Sequence, residues 1–296
     1  MSTGTTKRGI LVGVDGSPAA KVAVDWAARE AALRGVPLTL AYVLSPPLLM
    51  MWPEVPMPPE YATWQEDQAN SALEAGAGVA RAATGDSSRL DLRTETPMGP
   101  TLATLVDLSA EAELVVVGCR GLGALARGLL GSVSSGLVRH AHCPVAIIHD
   151  EDPLMEHPST APVVLGIDGS PASELATGIA FDAASRRGVD LVAVHAVSDA
   201  DVTELPGVDY MSLEQEAHEV LAERLAGWQE RYPDVIVHRE VTWMRAANAL
   251  VEQSEKAQLL VVGSHGRGTF AGLLLGSVSS AVAQAVRMPV IVARRG

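Results

Sequence analysis

Short apolar runs alternate with longer amphipathic stretches along the chain, and the alternation starts again half-way. Residues 9–14 form an apolar run closed by a turn, the signal of a buried strand. Ser17 then offers a helix cap with Pro18 at the first helical position. Ala19, Val22, Ala23, Trp26, Ala27 and Ala31 follow at helical spacing. Further strands are predicted at 38–43, 90–96, 114–118 and 145–148, and helices at 65–83, 101–110 and 132–140. In the second half, strands fall at 163–167, 191–197, 235–241, 259–263 and 290–293. Strands alternating with helices imply right-handed crossovers and a parallel sheet covered on both faces, an α/β fold.

The restart is a duplication. Gly13-Val14-Asp15-Gly16-Ser17-Pro18-Ala19 returns as Gly166-Ile167-Asp168-Gly169-Ser170-Pro171-Ala172, with six of seven positions identical. Leu129-Leu130-Gly131-Ser132-Val133-Ser134-Ser135 returns unchanged at 274–280. Two ordered matches at nearly equal separation mean two copies of one domain, not a short-period solenoid. The segment around Asp150-Glu151-Asp152-Pro153 and His157-Pro158 reads as a linker. The predicted division is domain 1 at 1–150, linker at 151–161 and domain 2 at 162–296.

Composition narrows the function classes. With 48% hydrophobic and 19% charged residues, the chain can pack a core and is not a disordered polymer. Aromatics are only 4%, so Val, Leu, Ile and Ala must fill that core. The net charge of -13 sets the surface against nucleic acid and anionic membranes, yet leaves room for a small anion held by backbone donors. Residues 1–8 are polar, without the apolar run of a signal peptide, and no stretch reaches the ~18 apolar residues of a membrane span. The only two cysteines, Cys119 and Cys143, argue against a disulfide scaffold and fit a reducing cytoplasm.

The candidate chemistry lies after the fourth strand of each copy. Gly118-Cys119-Arg120-Gly121 is followed by nine residues and then Gly131-Ser132; Gly263-Ser264-His265-Gly266 is followed by nine residues and then Gly276-Ser277. Glycine lets a ligand approach the bare backbone. A helix is predicted to begin just after Gly131 and Gly276, with Ser132 and Ser277 as its caps. A helix start presents unpaired N–H groups and a partial positive charge, which suits a phosphate. Ser134 and Ser279 would add hydroxyl donors. Glycine and serine also build plain βα turns, but two matching instances weigh against that reading.

Asp15 and Asp168 end the first strands. If the first and fourth strands are neighbours where the strand order reverses, each Asp faces the glycine loop of its own copy. A carboxylate there could take ribose or base hydrogen bonds, or a metal. An Asp before Gly-Ser-Pro also simply makes a turn, and the local sequence supports both readings equally. Neither loop is a Walker A motif, since no Gly-Lys-Ser/Thr follows, and neither has dinucleotide-fingerprint spacing. Cys119 reads as a small buried filler in preference to a redox-sensitive thiol. Cys143, His140 and His142 are poorly spaced for one metal and have no equivalent in the second copy, so no metal site is predicted. Residues 45–64, rich in Pro, Met and Trp, suit a lid over a base, a surface loop or a dimer contact.

The blocks Gly-Val-Asp-Gly-Ser and Gly-x2-Gly-x9-Gly-Ser-Val-Ser resemble the ATP-binding branch of the universal stress protein family. The resemblance covers nearly the whole chain as two tandem domains, as in actinobacterial members. It implies two Rossmann-like, adenine nucleotide alpha hydrolase-like domains, each a five-stranded parallel sheet of order 3-2-1-4-5 with helices on both faces. It also implies ATP, with or without Mg2+, between the first and fourth strands. Carried over, Gly13 and Asp15 sit beside ribose and base, and Val43 offers backbone groups to adenine. Gly118, Cys119, Arg120, Gly121, Leu122 and Gly123, with Gly131, Ser132, Val133 and Ser134, wrap the phosphates. In the second copy the base end is Gly166, Asp168 and Ala196, with Asp199 near the ribose. The phosphate end is Gly263, Ser264, His265, Gly266, Arg267 and Gly268, with Gly276, Ser277, Val278 and Ser279. His265 stands where the first copy has Arg120, and Arg267 where it has Leu122, so unequal affinities are expected.

The resemblance implies a nucleotide-dependent regulator in stress, hypoxia, dormancy or growth control. It further implies pairing of domains through the last strands and a homodimer. No general base, Walker lysine or acidic metal pair recurs in both copies, so no catalytic residue is assigned and the chain reads as no enzyme. A slow ATPase or phosphotransferase at the same sites, and a nucleotide-free interaction scaffold, are the rival readings.

Overall fold

The computed structural model describes residues 8–45, 60–85, 90–119, 130–149, 160–197, 210–266 and 275–294. The chain divides into two compact units, Met1–Asp150 and Glu151–Arg295.

Unit 1 runs β1 (Ile10–Gly13), α1 (Pro18–Arg34), β2 (Leu38–Ala41), α2 (Glu60–Thr84), β3 (Leu92–Glu95), α3 (Thr101–Ser109), β4 (Leu114–Gly118), α4 (Ser132–His140) and β5 (Val145–Ile148). Its strand order is β3-β2-β1-β4-β5, all parallel, with the expected reversal between β1 and β4. Unit 2 repeats the plan with β6 (Val163–Gly166), α5 (Pro171–Arg187), β7 (Leu191–Ala196), α6 (Tyr210–Arg231), β8 (Val237–Thr242), α7 (Ala246–Ser254), β9 (Leu259–Gly263), α8 (Ser277–Ala285) and β10 (Val290–Ala293). Its order is β8-β7-β6-β9-β10, again all parallel, with β6 beside both β7 and β9.

The apolar runs become central strands because both their faces are covered. Ile10, Leu11 and Val12 of β1 and Val115 and Val116 of β4 have no exposed surface, and Val163, Leu165, Leu260 and Val261 match them in unit 2. The outer strands β3 and β8 carry charged residues such as Arg93 and Glu240 and are half-exposed. There the apolar pattern fades, and the observed strand limits differ from expectation: β3 is shorter at both ends, and β8 starts two residues later. β2 stops at Ala41, but Tyr42 N–H still reaches the Glu95 carbonyl and Leu44 N–H the Pro97 carbonyl, at 3.0 and 2.9 Å.

The first helix of each unit starts as its sequence dictates. Ser17 caps α1, its Oγ accepting from Ala20 N–H at 3.1 Å, and Ser170 caps α5, accepting from Ser173 N–H at 3.2 Å. Gly16 and Gly169, at φ 81 and 79°, take the left-handed turn between strand and cap. The two units pack their next helices differently. In α2 the helix comes close through Ala69, Gly76, Ala77 and Ala80, and a side chain on Gly76 would stand 3.2 Å from Leu40. In unit 2, Trp228 and Tyr232 lie 6.0 and 5.8 Å from the buried Phe181 ring, and a side chain at Gly178 would strike Trp228.

Candidate functional site

The site is built where β6 and β9 part. The strand ends carry Gly166 and Gly263, and the chain leaves them on opposite errands, into the cap of α5 and into the glycine loop before α8. Between them opens a cleft of about 640 Å³. Its apolar wall is Val194, Ala196 and Val197 from the β7 end with Ala246 and Leu250 from α7. Its polar end is Asp168, His265 and Gly266 with the first turn of α8, from Gly276 to Ser280.

Each end of the loop is pinned by the same backbone bonds in both units. Cys119 N–H donates to the Ile148 carbonyl, and the Cys119 carbonyl accepts from Gly131 N–H, at 2.8 and 2.9 Å. Ser264 does the same with Ala293 and Gly276, both at 2.8 Å. The helix start is therefore held against the fourth strand without any ligand.

The cap assignment needs correcting. Gly131 and Gly276 are the N-caps, in extended conformation and with no side-chain cap bond, while Ser132 and Ser277 are the first helical residues. A glycine cap supplies no acceptor, so the first-turn amides of α4 and α8 keep no capping oxygen. The correction strengthens the anion reading. A second correction concerns Ser134 and Ser279. Both are buried, and their hydroxyls donate to the Gly118 and Gly263 carbonyls at 2.8 and 2.5 Å. Those protons hold the helix to the strand end and are not offered to a ligand.

Gly118 and Gly263 also have a reason other than ligand approach. A Cβ on Gly118 would sit 2.9 Å from the Ala19 backbone, and one on Gly263 2.8 Å from Ala172 C and Ser173 N. These glycines let the first helix cross the strand end. Gly13 and Gly166 similarly face Leu105 and Leu250, at 3.2 and 3.0 Å from an added Cβ.

Asp15 and Asp168 both play the turn-making part. One oxygen of each makes the turn, accepting from Ser17 and Ser170 N–H at 2.9 Å. The other oxygen of Asp168, Oδ2, lies 2.8 Å from where a Gly266 side chain would be, so the carboxylate faces the glycine loop as the strand order required. Val43 is buried two residues beyond β2, and its counterpart Ala196 ends β7 and lines the cleft. Val133 and Val278 sit in the first turns of α4 and α8, half-buried. Arg120, Gly121, Leu122, Gly123, Asp199, Arg267 and Gly268 lie outside the described residues.

Several cleft residues escaped the sequence reading, Leu250, Ala246 and Ser173 among them. Leu250 and Ala246 belong to α7, whose apolar periodicity shows a buried face but not what that face borders. Ser173 lines the cleft, accepts from Gly169 N–H at 2.9 Å and has Ala20 as its counterpart in the first unit. His195, between the lining residues Val194 and Ala196, is buried and donates from Nδ1 to the Ile167 carbonyl at 2.8 Å.

Other candidates separate. Cys119 is buried at 3% exposure, as a filler would be. Cys143 is buried and donates to the Pro144 carbonyl, whereas His140 and His142 are exposed; among the described residues no group of three or more His, Cys, Asp or Glu could hold a metal. Of the segment 45–64, residues 46–59 lie outside the described residues, and Trp64 is exposed beside Tyr61. Among the described residues no helix is long and apolar enough to cross a membrane.

The family model of the universal stress protein family matches residues 7–149 and again 160–294. The chain belongs to the universal stress protein family. As a tandem member it is 55% identical over 294 residues to a universal stress protein of Mycobacterium tuberculosis, covering 99% of each chain. It is 50% identical over 296 residues to one of Mycolicibacterium smegmatis, again covering 99% of each. In three dimensions it matches the crystal structure of a universal stress protein from Archaeoglobus fulgidus with a TM-score of 0.69 at 21% identity, over 97% of this chain and 96% of that one. At that identity the likeness speaks for the fold alone, a Rossmann-like tandem.

Proposed function

We propose that this universal stress protein is a cytoplasmic regulator that binds ATP, with or without Mg2+, in both units, and that occupancy rather than turnover is its signal. The observation that carries the reading is the second unit's cleft. An apolar slot (Ala196, Val197, Leu250) suits a flat heterocycle, Asp168 suits ribose hydroxyls, and first-turn amides of α8 without a side-chain cap suit phosphates. The pinned loop ends, repeated in the first unit, support the same use there. With no cluster of acidic ligands among the described residues, Mg2+ would be held chiefly by the phosphates. ATP acts by favouring one of two surface states seen by a protein partner under stress, hypoxia or dormancy, in a homodimer.

Acid extraction of freshly purified protein, followed by mass analysis, is expected to release adenine nucleotide. Calorimetry with ATP, ADP and AMP on stripped protein then ranks them. An extract without nucleotide, and no heat with any of the three, would leave only an interaction scaffold. Steady phosphate release that Asp168→Ala abolishes would make the chain an enzyme.

A further inference from the structure

We propose that Ser45 and Thr101 form a base-reading edge in unit 1, so that this unit selects a purine with an exocyclic hydrogen-bonding group and unit 2 does not. The inference rests on the nucleotide reading of the clefts and adds a difference in specificity to it.

The wall in question can be matched residue by residue between the units. Ile10 of β1 pairs with Leu38, and Val163 of β6 pairs with Leu191, so Leu44 stands where unit 2 has Val197, and Ser45 follows it. Thr101 and Ala246 are the first residues of α3 and α7. One turn on, Leu105 and Leu250 lean alike on the strand-end glycines, at 3.2 and 3.0 Å from a Cβ added to Gly13 and Gly166. Thr101 therefore takes the place of Ala246, which lines the second cleft together with Val197.

In unit 1 that place is polar. Ser45 Oγ and Thr101 Oγ1 are 2.7 Å apart and share a hydrogen bond that ties the end of β2 to the start of α3. Gln65 of α2 donates from Nε2 to the Ser45 carbonyl at 2.9 Å, which fixes Ser45 from a further element. Both hydroxyl residues are half-buried, and among the described residues neither hydroxyl has another partner. One hydroxyl proton is spent between the two oxygens. The other proton and the unused lone pairs are left for water or a ligand.

Unit 2 offers the Ala246 methyl and the Val197 side chain at this point, contacts that reward apolar area and ignore a polar substituent. A site built to hydrogen-bond a ligand group rejects the analogue that lacks it, because its own polar atoms are then left unmatched. In adenine that group is the exocyclic amine. One neutral hydrogen bond corresponds to about a fivefold change in affinity.

The test is calorimetry of the full chain, stripped of nucleotide, with ATP and with purine riboside triphosphate, in which hydrogen replaces the amine. In wild type, one class of sites should prefer ATP over the analogue about fivefold more strongly than the other class does. Thr101→Ser should keep that preference. Thr101→Ala should lower it, and Ser45→Ala combined with Thr101→Ala should bring it to the value of the other class. Denaturant unfolding checks each variant, and the single Thr101→Ala variant decides if the double one does not fold. A wild-type preference for ATP in the folded Ala variants overturns the inference alone and leaves the hydroxyl pair as a latch between strand and helix. Wild type that binds neither triphosphate overturns the nucleotide reading and this inference together.

Discussion

Replacing Gly276 by Asp should separate helix capping from ligand binding. Gly276 is an extended N-cap at φ -72 and ψ 155°, a conformation open to any residue. Aspartate there would turn its carboxylate onto the amides of Val278 and Ser279, the usual N-cap bond, and would outdo glycine by only about 0.3 kcal/mol in helix stability. The new Cβ would meet the Ser264 carbonyl at 3.3 Å and His265 Cα at 3.4 Å, so neighbours must give slightly. The two effects nearly cancel, and stability should stay within about 0.5 kcal/mol of wild type. Binding should not survive so well. The carboxylate takes the amides proposed for phosphate and adds a like charge beside it. Two charges 4 Å apart repel by about 4 kcal/mol at an effective dielectric constant of 20. Because Ser277 is exposed and salt screens the site, a loss of about 2 kcal/mol is the working figure, roughly thirtyfold in Kd. Gly276→Asn, which caps without charge, should lose about 1 kcal/mol. Calorimetry gives the affinity of the second-unit site, and denaturant unfolding checks the fold. An Asp variant that is folded and binds ATP as tightly as wild type would refute the view that the α8 amides grip the phosphates.

The remaining expectations use the same two measurements. Ser279→Ala should cost about 1–2 kcal/mol of stability by stranding the Gly263 carbonyl, yet change ATP affinity less than threefold on the scale of about 0.6 kcal/mol; a larger affinity loss at unchanged stability would return the hydroxyl to the ligand. Gly263→Ala drives a Cβ to 2.8 Å from the α5 backbone and should destabilise the second unit by about 2 kcal/mol or more, seen as an earlier unfolding transition. Phe181→Ala should cost about 3–5 kcal/mol, because its ring has no exposed surface, stacks with Trp228 and meets Tyr232 at a tilt; a shift under 1 kcal/mol would mean those rings re-pack around the void.

Central strands and the cap of the first helix in each unit were legible because local signals and tertiary demands agree there. Ile10 to Gly13 is apolar on both faces since helices cover both, and Ser17-Pro18 starts a helix whatever surrounds it. The edge strands were blurred because only one neighbour supports them, so solvent rather than packing sets their ends. At the site, the glycines announced a backbone feature but not its direction. Gly118 and Gly263 are bare because α1 and α5 press on them, a contact between segments about a hundred residues apart that no local pattern reports. The serine hydroxyls misled for a related reason. Ser134 and Ser279 occupy positions two residues into a helix, where the sequence cannot show that the nearest acceptor is the end of the preceding strand.

What the duplication kept and what it let drift follow from who supplies the binding groups. The proposed phosphate end would depend on main-chain amides, which require only a glycine cap, a helix behind it and a strand-end carbonyl for the buried serine; all three recur in both units at matching positions. The side chains around the second cleft differ from their counterparts: Ser173 stands against Ala20, and His265 against Arg120. A substitution at such positions alters what one cleft offers while the main-chain bonds that pin the loop ends stay the same in both units. Two copies of one backbone framework can therefore diverge in what their clefts accept, and separate calorimetry of wild type and the Gly276→Asp variant measures whether the second cleft binds on its own terms.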